Sequence, residues 1–212
     1  MKTRDAQWFE EQHSELASRG QSWGNAQMYA NKLNCLQWCC REQVIANTAC
    51  MLDLGCGAGD LASLLAANGF SHVDGVDISP SAIQKAGSTN SGSFSVADFS
   101  EPCELKRKYD CIFDTDCFHM VIEMARRQVF LSNVKANLDA GGVFLTGINS
   151  RMPDIDPYVT LGEHVQYFWP SREEYINEVC AAGFRVAGQR ELPSRNKTKC
   201  DGWVELIFKR ID

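Results

Sequence analysis

From about residue 50 the chain alternates short apolar runs with stretches of helical periodicity. Cys50-Met51-Leu52-Asp53-Leu54 reads as a buried strand that stops at a glycine-rich turn. Over 60–68, Leu61, Leu64 and Leu65 recur at helical spacing, and Gly69 follows as a C-terminal stop. A strand is predicted over 73–78, then a helix opened by Ser79-Pro80, then strands over 93–97 and 109–114. A helix around 126–138 ends at Asp139-Ala140-Gly141-Gly142 and leads into a strand over 143–148. Ser171 and Glu174 have the spacing of a capping box, which opens a helix to about Ala182. The runs 184–190 and 203–209 close the chain as an antiparallel pair. Seven strands with interleaved helices predict an α/β fold, a doubly wound, mainly parallel seven-stranded sheet within one domain.

Two stretches stand outside that rhythm. Residues 1–48 read as helical and carry Trp8, Phe9, Trp23, Tyr29 and Trp38, which suits an N-terminal helical lid before the core of 49–148. Residues 149–170 read as a long irregular connection holding Pro153, Pro157, Pro170, Tyr158, His164, Tyr167, Phe168 and Trp169. Connections beyond about 12–15 residues are usually functional or disordered, and this many aromatics favours function, as a substrate or lid insertion. Residues 171–212 supply the last helix and strands.

Composition narrows the function. Of 212 residues, 44% are hydrophobic and 23% charged, so a buried core is available. The net charge of −6 argues against a broad nucleic-acid or anionic-membrane surface, which needs clustered Lys and Arg. No apolar run approaches the roughly 20 residues that span a bilayer, and the first residues are too polar for a signal peptide. The ten cysteines stand singly except Cys39-Cys40, with no C-x-x-C and no zinc-finger spacing, so no metal site is expected. Reduced thiols in a cytoplasmic protein are the expectation, and the sequon Asn196-Lys197-Thr198 is then unused.

Chemistry concentrates at Leu52-Asp53-Leu54-Gly55-Cys56-Gly57-Ala58-Gly59-Asp60-Leu61. A strand running into glycines and then a helix brings backbone N–H groups against a ligand. The spacing is G-x-G-x-G, unlike the G-x-G-x-x-G of a nicotinamide fingerprint, and Asp53 stands two residues before the first glycine. A carboxylate there repels a pyrophosphate and tolerates an ammonium or sulfonium. Asp77 closes the next strand about 20 residues on, where an acid hydrogen-bonds ribose hydroxyls in this architecture. Asp98 closes the strand after that. All three acids fall at carboxyl ends of strands, the edge at which open α/β sheets bind ligands.

These residues resemble the class I S-adenosylmethionine-dependent methyltransferases, of small-molecule type, over roughly residues 49–148. The resemblance implies a Rossmann-like core with S-adenosylmethionine as cofactor. It implies that Gly55, Cys56 and Gly57 pack against the methionine part with Asp53 in support. Asp77 would hold the ribose, Ile78 would lie on the adenine, and Asp98 with Phe99 would bind the adenine edge. The stretch from Tyr109 to His119 looks like the post-strand-four motif of small-molecule members, with Asp114 and Thr115 near the transferred methyl. Trp23 is the lid residue expected on the cofactor.

Each residue also has a plain structural reading. The glycines serve a tight turn, Asp77 caps the helix at Ser79-Pro80, Asp98 begins a turn, and Cys56 fills a small space rather than acting as a nucleophile. His119 is either a satisfied core histidine or a general base. Trp23, Tyr167 and Trp169 are core or lid aromatics. The expected function is methyl transfer to a small-molecule acceptor, with no nucleic-acid or membrane partner. The rivals are a non-catalytic S-adenosylmethionine-binding regulatory protein, a protein-directed methyltransferase, and a nicotinamide-dependent oxidoreductase, which the glycine spacing disfavours. Oligomeric state does not follow from these patterns.

Overall fold

The computed structural model describes residues 5–211 except 115, 153, 162–164 and 193–199. Thr115, His164 and the sequon Asn196-Lys197-Thr198 therefore lie outside the described residues. In chain order the elements are α1 (Ala6–Ser18), α2 (Ala26–Arg41), β1 (Met51–Leu54), α3 (Asp60–Ala67), β2 (Val73–Asp77), α4 (Pro80–Thr89), β3 (Phe94–Val96) and β4 (Tyr109–Asp114). A 3-10 turn (Phe118–Met120), α5 (Met124–Asn137), β5 (Leu138–Arg151), β6 (Tyr158–Leu161), β7 (Val165–Phe168), α6 (Arg172–Ala181), β8 (Phe184–Leu192) and β9 (Cys200–Arg210) follow. Seven strands form one sheet in the order β3-β2-β1-β4-β5-β9-β8. Its β1–β2 and β2–β3 ladders are parallel, and β9 runs antiparallel to both β5 and β8. This is the mainly parallel, doubly wound sheet that the sequence predicts, with the C-terminal pair inserted as an antiparallel edge.

The chain divides into two compact units. The first comprises Thr3–Asp98 and Tyr109–Phe113. Its strand β1 is buried along its whole length, as expected of a parallel strand covered on both faces. Here α1 packs on α4, and α2 on α3. Both N-terminal helices are set by side-chain caps: Trp8 N–H donates to Asp5 Oδ1 (2.9 Å) and Met28 N–H to Asn25 Oδ1 (3.0 Å). Ser79 caps α4 with Pro80 in its first turn, as the sequence predicts. The strand order reverses between β1 and β4, and sheets of this kind bind ligands beyond the carboxyl ends at such a point.

The second unit comprises Phe99–Lys108 and Asp114–Asp212. Ser171 and Glu174 do form the capping box of α6. The expectation of an irregular connection over 149–170 is corrected here. Strand β5 continues to Arg151, and β6 and β7 pair as an antiparallel hairpin. Phe168 is buried beneath the guanidinium of Arg127, 3.7 Å above its ring, which gives this short hairpin a packed anchor. Arg127 is itself buried, donating to Glu178 Oε1 (2.8 Å) and to the carbonyl of Ile122 (2.5 Å). Prolines on both flanks of the hairpin masked the alternation of Tyr158-Val159-Thr160 and Gln166-Tyr167-Phe168.

Candidate cofactor site

The first unit builds its site from the turn after β1. Gly55, Gly57 and Gly59 take φ values of 74°, 52° and 80°, so alternate residues occupy the left-handed region that only glycine enters at little cost. Gly55 N–H and Cys56 N–H both donate to the carbonyl of Val76 (2.8 and 3.1 Å), which ties the turn to β2. The Cys56 side chain turns inward. A Cβ added to Gly75 of β2 would lie 2.6 Å from its sulfur. Burial pushes its thiol pKa far up, and the carboxylates of Asp53 and Asp77 push it further. Cys56 therefore contributes backbone to the turn and no nucleophile.

Asp77 ends β2 and is buried. Its Oδ2 accepts from Gly57 N–H and its Oδ1 from Ser79 N–H, both at 2.9 Å. A carboxylate offers about four lone-pair directions, so about two remain for a ligand. The cap and the ligand-binding reading are thus compatible, since one carboxylate fixes the turn and presents open acceptors. Asp53 lies fully buried in β1. Burial raises the phenol pKa of Tyr29 in α2, and the carboxylates of Asp60 and Asp53 raise it too. The carboxylates of Asp53, Asp60 and Asp77 thus surround the glycine turn with negative charge, the sign that attracts an ammonium or sulfonium and repels a phosphate. Ile78 and Asp98 are half-buried, one residue beyond β2 and two beyond β3, so Asp98 follows its strand rather than closing it.

Helix α1 reaches the same acids. Glu10 Oε2 accepts from Ser79 Oγ (2.5 Å) and from Ser81 N–H (3.2 Å) at the N-terminus of α4. One helical turn further on, His13 Nε2 stands 3.8 Å from Asp77 Oδ1. The His13 ring packs on Trp23 (centroids 5.5 Å), and Trp23 meets Trp8 and Phe9 at 5.9 and 6.0 Å. Trp23 remains 40% exposed, so it joins an aromatic cluster with one open side. Glu10 and His13 were missed by sequence reasoning, and Tyr29 was read only as one of the lid aromatics. Glu10 and His13 stand at i, i+3 on a helix, a spacing that puts both on one face, yet nothing local says what that face meets.

In the second unit the residues after β4 form a separate arrangement. Asp114 is buried, and its carboxylate accepts from Cys117 N–H (2.7 Å), Phe118 N–H (3.3 Å) and the Thr146 hydroxyl (3.2 Å). Tyr175 continues this network through Thr146 (2.9 Å), and burial with the Asp114 charge lifts its phenol pKa well above the ordinary value. Asp114 thus holds the turn that follows β4. Phe99 is buried and its ring meets Phe130 of α5 (6.0 Å). His119 stacks on Tyr167 of β7, centroids 5.4 Å apart with 26° between planes. Asp116 carries a φ of 65°, the conformation that takes the chain sharply out of β4. Among the described residues, no group of three or more His, Cys, Asp or Glu could hold a metal, and no helix is long and apolar enough to cross a membrane.

Residues 52–144 match the family described as "Methyltransferase domain". The chain is 44% identical over 52 residues to the ribosomal protein L11 methyltransferase of Dechloromonas aromatica, covering 24% of this chain and 17% of that protein. It is 38% identical over 77 residues to an uncharacterized methyltransferase of Schizosaccharomyces pombe, covering 34% of this chain and 52% of the relative. The chain thus spans about half or less of the length of these relatives. Among solved structures, an S-adenosylmethionine-dependent methyltransferase of Clostridium acetobutylicum superposes with a TM-score of 0.69 at 17% identity, over 96% of this chain and 98% of that one. Magnesium protoporphyrin IX methyltransferase of Synechocystis, solved with bound SAH, gives 0.69 at 16% identity, over 97% of both chains. The chain thus shares its fold with these solved structures, and residues 52–144 resemble a methyltransferase domain.

Proposed function

We propose that this protein is an S-adenosylmethionine-dependent methyltransferase acting on a small-molecule acceptor. The observation that carries the reading is Asp77, pinned by two backbone N–H groups beside the three-glycine turn and keeping open acceptor directions for a ribose diol. The carboxylates of Asp53, Asp60 and Asp77 around the glycine turn support a cationic cofactor over a dinucleotide. When bound, this cofactor supplies a methyl group already activated on a sulfonium. Asp77 holds the ribose hydroxyls, Ile78 covers the adenine, and Asp98 takes the adenine edge. The glycine turn and Asp53 hold the methionine end. The N-terminal aromatics close over the cofactor and exclude water, so the protein's main task is alignment. His119 is proposed as a general base, its ring held by the stack on Tyr167. An acceptor of low pKa, a thiol or a phenol, needs little such help.

S-adenosylhomocysteine tests the reading directly. A ligand bound only by the folded state adds about 2.7 kcal/mol at 100 times its dissociation constant. At about 2–4 °C per kcal/mol for a domain of this size, the melting temperature rises by roughly 5–11 °C. No shift at millimolar ligand, or a larger one with a nicotinamide dinucleotide, overturns the assignment. A radiolabelled methyl-transfer screen over metabolites and lysate protein, read by size, then tests the acceptor class. Label in the protein fraction alone refutes the small-molecule reading.

A further inference from the structure

We propose that His13 is a cofactor-binding residue that clasps the ribose against Asp77, a role that rests on the cofactor assignment above and that no part of the glycine turn supplies. His13 Nε2 and Asp77 Oδ1 are 3.8 Å apart, too far to hydrogen-bond each other. An oxygen about 2.8 Å from each would see the two at an angle of about 85°, within reach of both. A hydroxyl is the group that suits such a gap, because it accepts from an imidazole N–H and donates to a carboxylate at once. A carbonyl or a phosphate oxygen satisfies only the imidazole.

Three contacts hold the imidazole at that place. Glu10, one turn earlier, fastens α1 to the start of α4 through Ser79 Oγ and Ser81 N–H. The Ser79 hydrogen bond, with smaller help from Ser81, keeps the Glu10 carboxyl ionised to lower pH than usual. Trp23 packs on the ring, and His13 Cε1 lies 3.5 Å from where a Cβ on Gly57 would stand, so the glycine turn forms the floor beneath it. The His13 side chain is 12% exposed and Asp77 8% exposed, so a hydroxyl between them would be largely shielded from water. Ser79, which anchors Glu10, also donates its N–H to Asp77, so the lid and the ribose acid share one support.

The experiment is calorimetric binding of S-adenosylhomocysteine, and of its 2′,3′-dideoxyribose analogue, to the parent, His13→Ala and Glu10→Gln proteins. Loss of the imidazole weakens S-adenosylhomocysteine about five- to twentyfold and leaves the affinity for the dideoxy analogue equal to the parent's. Glu10→Gln gives a smaller loss with the same selectivity. A His13→Ala protein that binds S-adenosylhomocysteine as tightly as the parent, or more tightly, overturns the inference, since the ring then only fills the space the ribose takes. An equal loss for both ligands also overturns it and makes His13 scaffold. A parent that binds no S-adenosylhomocysteine overturns the proposed function itself, whereas the two preceding results leave that function standing.

Discussion

Asp77→Asn separates the two duties of Asp77, holding the glycine turn and the proposed binding of ribose. The carboxylate receives Gly57 N–H on one oxygen and Ser79 N–H on the other, each at 2.9 Å. An amide keeps one oxygen, so one N–H loses its acceptor and faces an NH2 group instead. Asp77 is only 8% exposed, so water does not readily replace the lost partner. A hydrogen bond to a charged group contributes about 1.5–3 kcal/mol. At about 2–4 °C per kcal/mol the ligand-free protein melts roughly 3–12 °C lower, read by circular dichroism at neutral pH. The ribose loses a charged acceptor in the same step, so S-adenosylhomocysteine binds on the order of 10- to 100-fold more weakly by calorimetry. Parent-like melting shows that Asp77 does not hold the glycine turn. Lower melting with unchanged affinity shows that it holds the turn and nothing more.

Two further outcomes follow from other contacts. The Glu10 carboxyl pKa is lowered in the folded state, chiefly by the Ser79 hydroxyl, so its stabilisation is present above the ordinary carboxylate range and lost as pH falls through the lowered value. Melting curves of the parent and Glu10→Gln should therefore differ at neutral pH and converge under acid, and a gap independent of pH refutes the contact. Gly75→Ala would set a Cβ 2.6 Å from Cys56 Sγ and 2.7 Å from Phe94 Cε1, an overpacking that costs about 1–3 kcal/mol and displaces the glycine turn. Urea denaturation should show the loss and calorimetry a weaker affinity for S-adenosylhomocysteine, whereas parent-like values in both assays remove this account of Cys56.

The chain order of strands and helices was legible because it rests on local rules. Parallel strands buried on both faces read as apolar runs, Ser79-Pro80 and Ser171 with Glu174 open helices by their own hydrogen bonds, and Gly55, Gly57 and Gly59 announce a turn that other residues resist. The acids at the strand ends were legible for the same reason, since topology places the residue that closes each parallel strand at one edge. Side-chain direction was not. The contacts of Asp114 with Thr146 and Phe118 N–H, and of Phe99 with Phe130 at 31 positions' remove, lie beyond any local pattern. The hairpin over Tyr158–Phe168 is held by Arg127 from a helix that precedes it, so its own prolines pointed the other way.

The amino-acid sequence by itself determined the sheet, the glycine turn, Asp53 and the candidate ribose acid Asp77, because each depends on neighbours within a few residues. Only the tertiary structure brought Glu10 to Ser79 and His13 to Asp77, across 69 and 64 positions. No periodicity encodes that meeting. It arises because α1 packs on α4, and the free energy of that packing belongs to a face whose partner lies elsewhere in the chain.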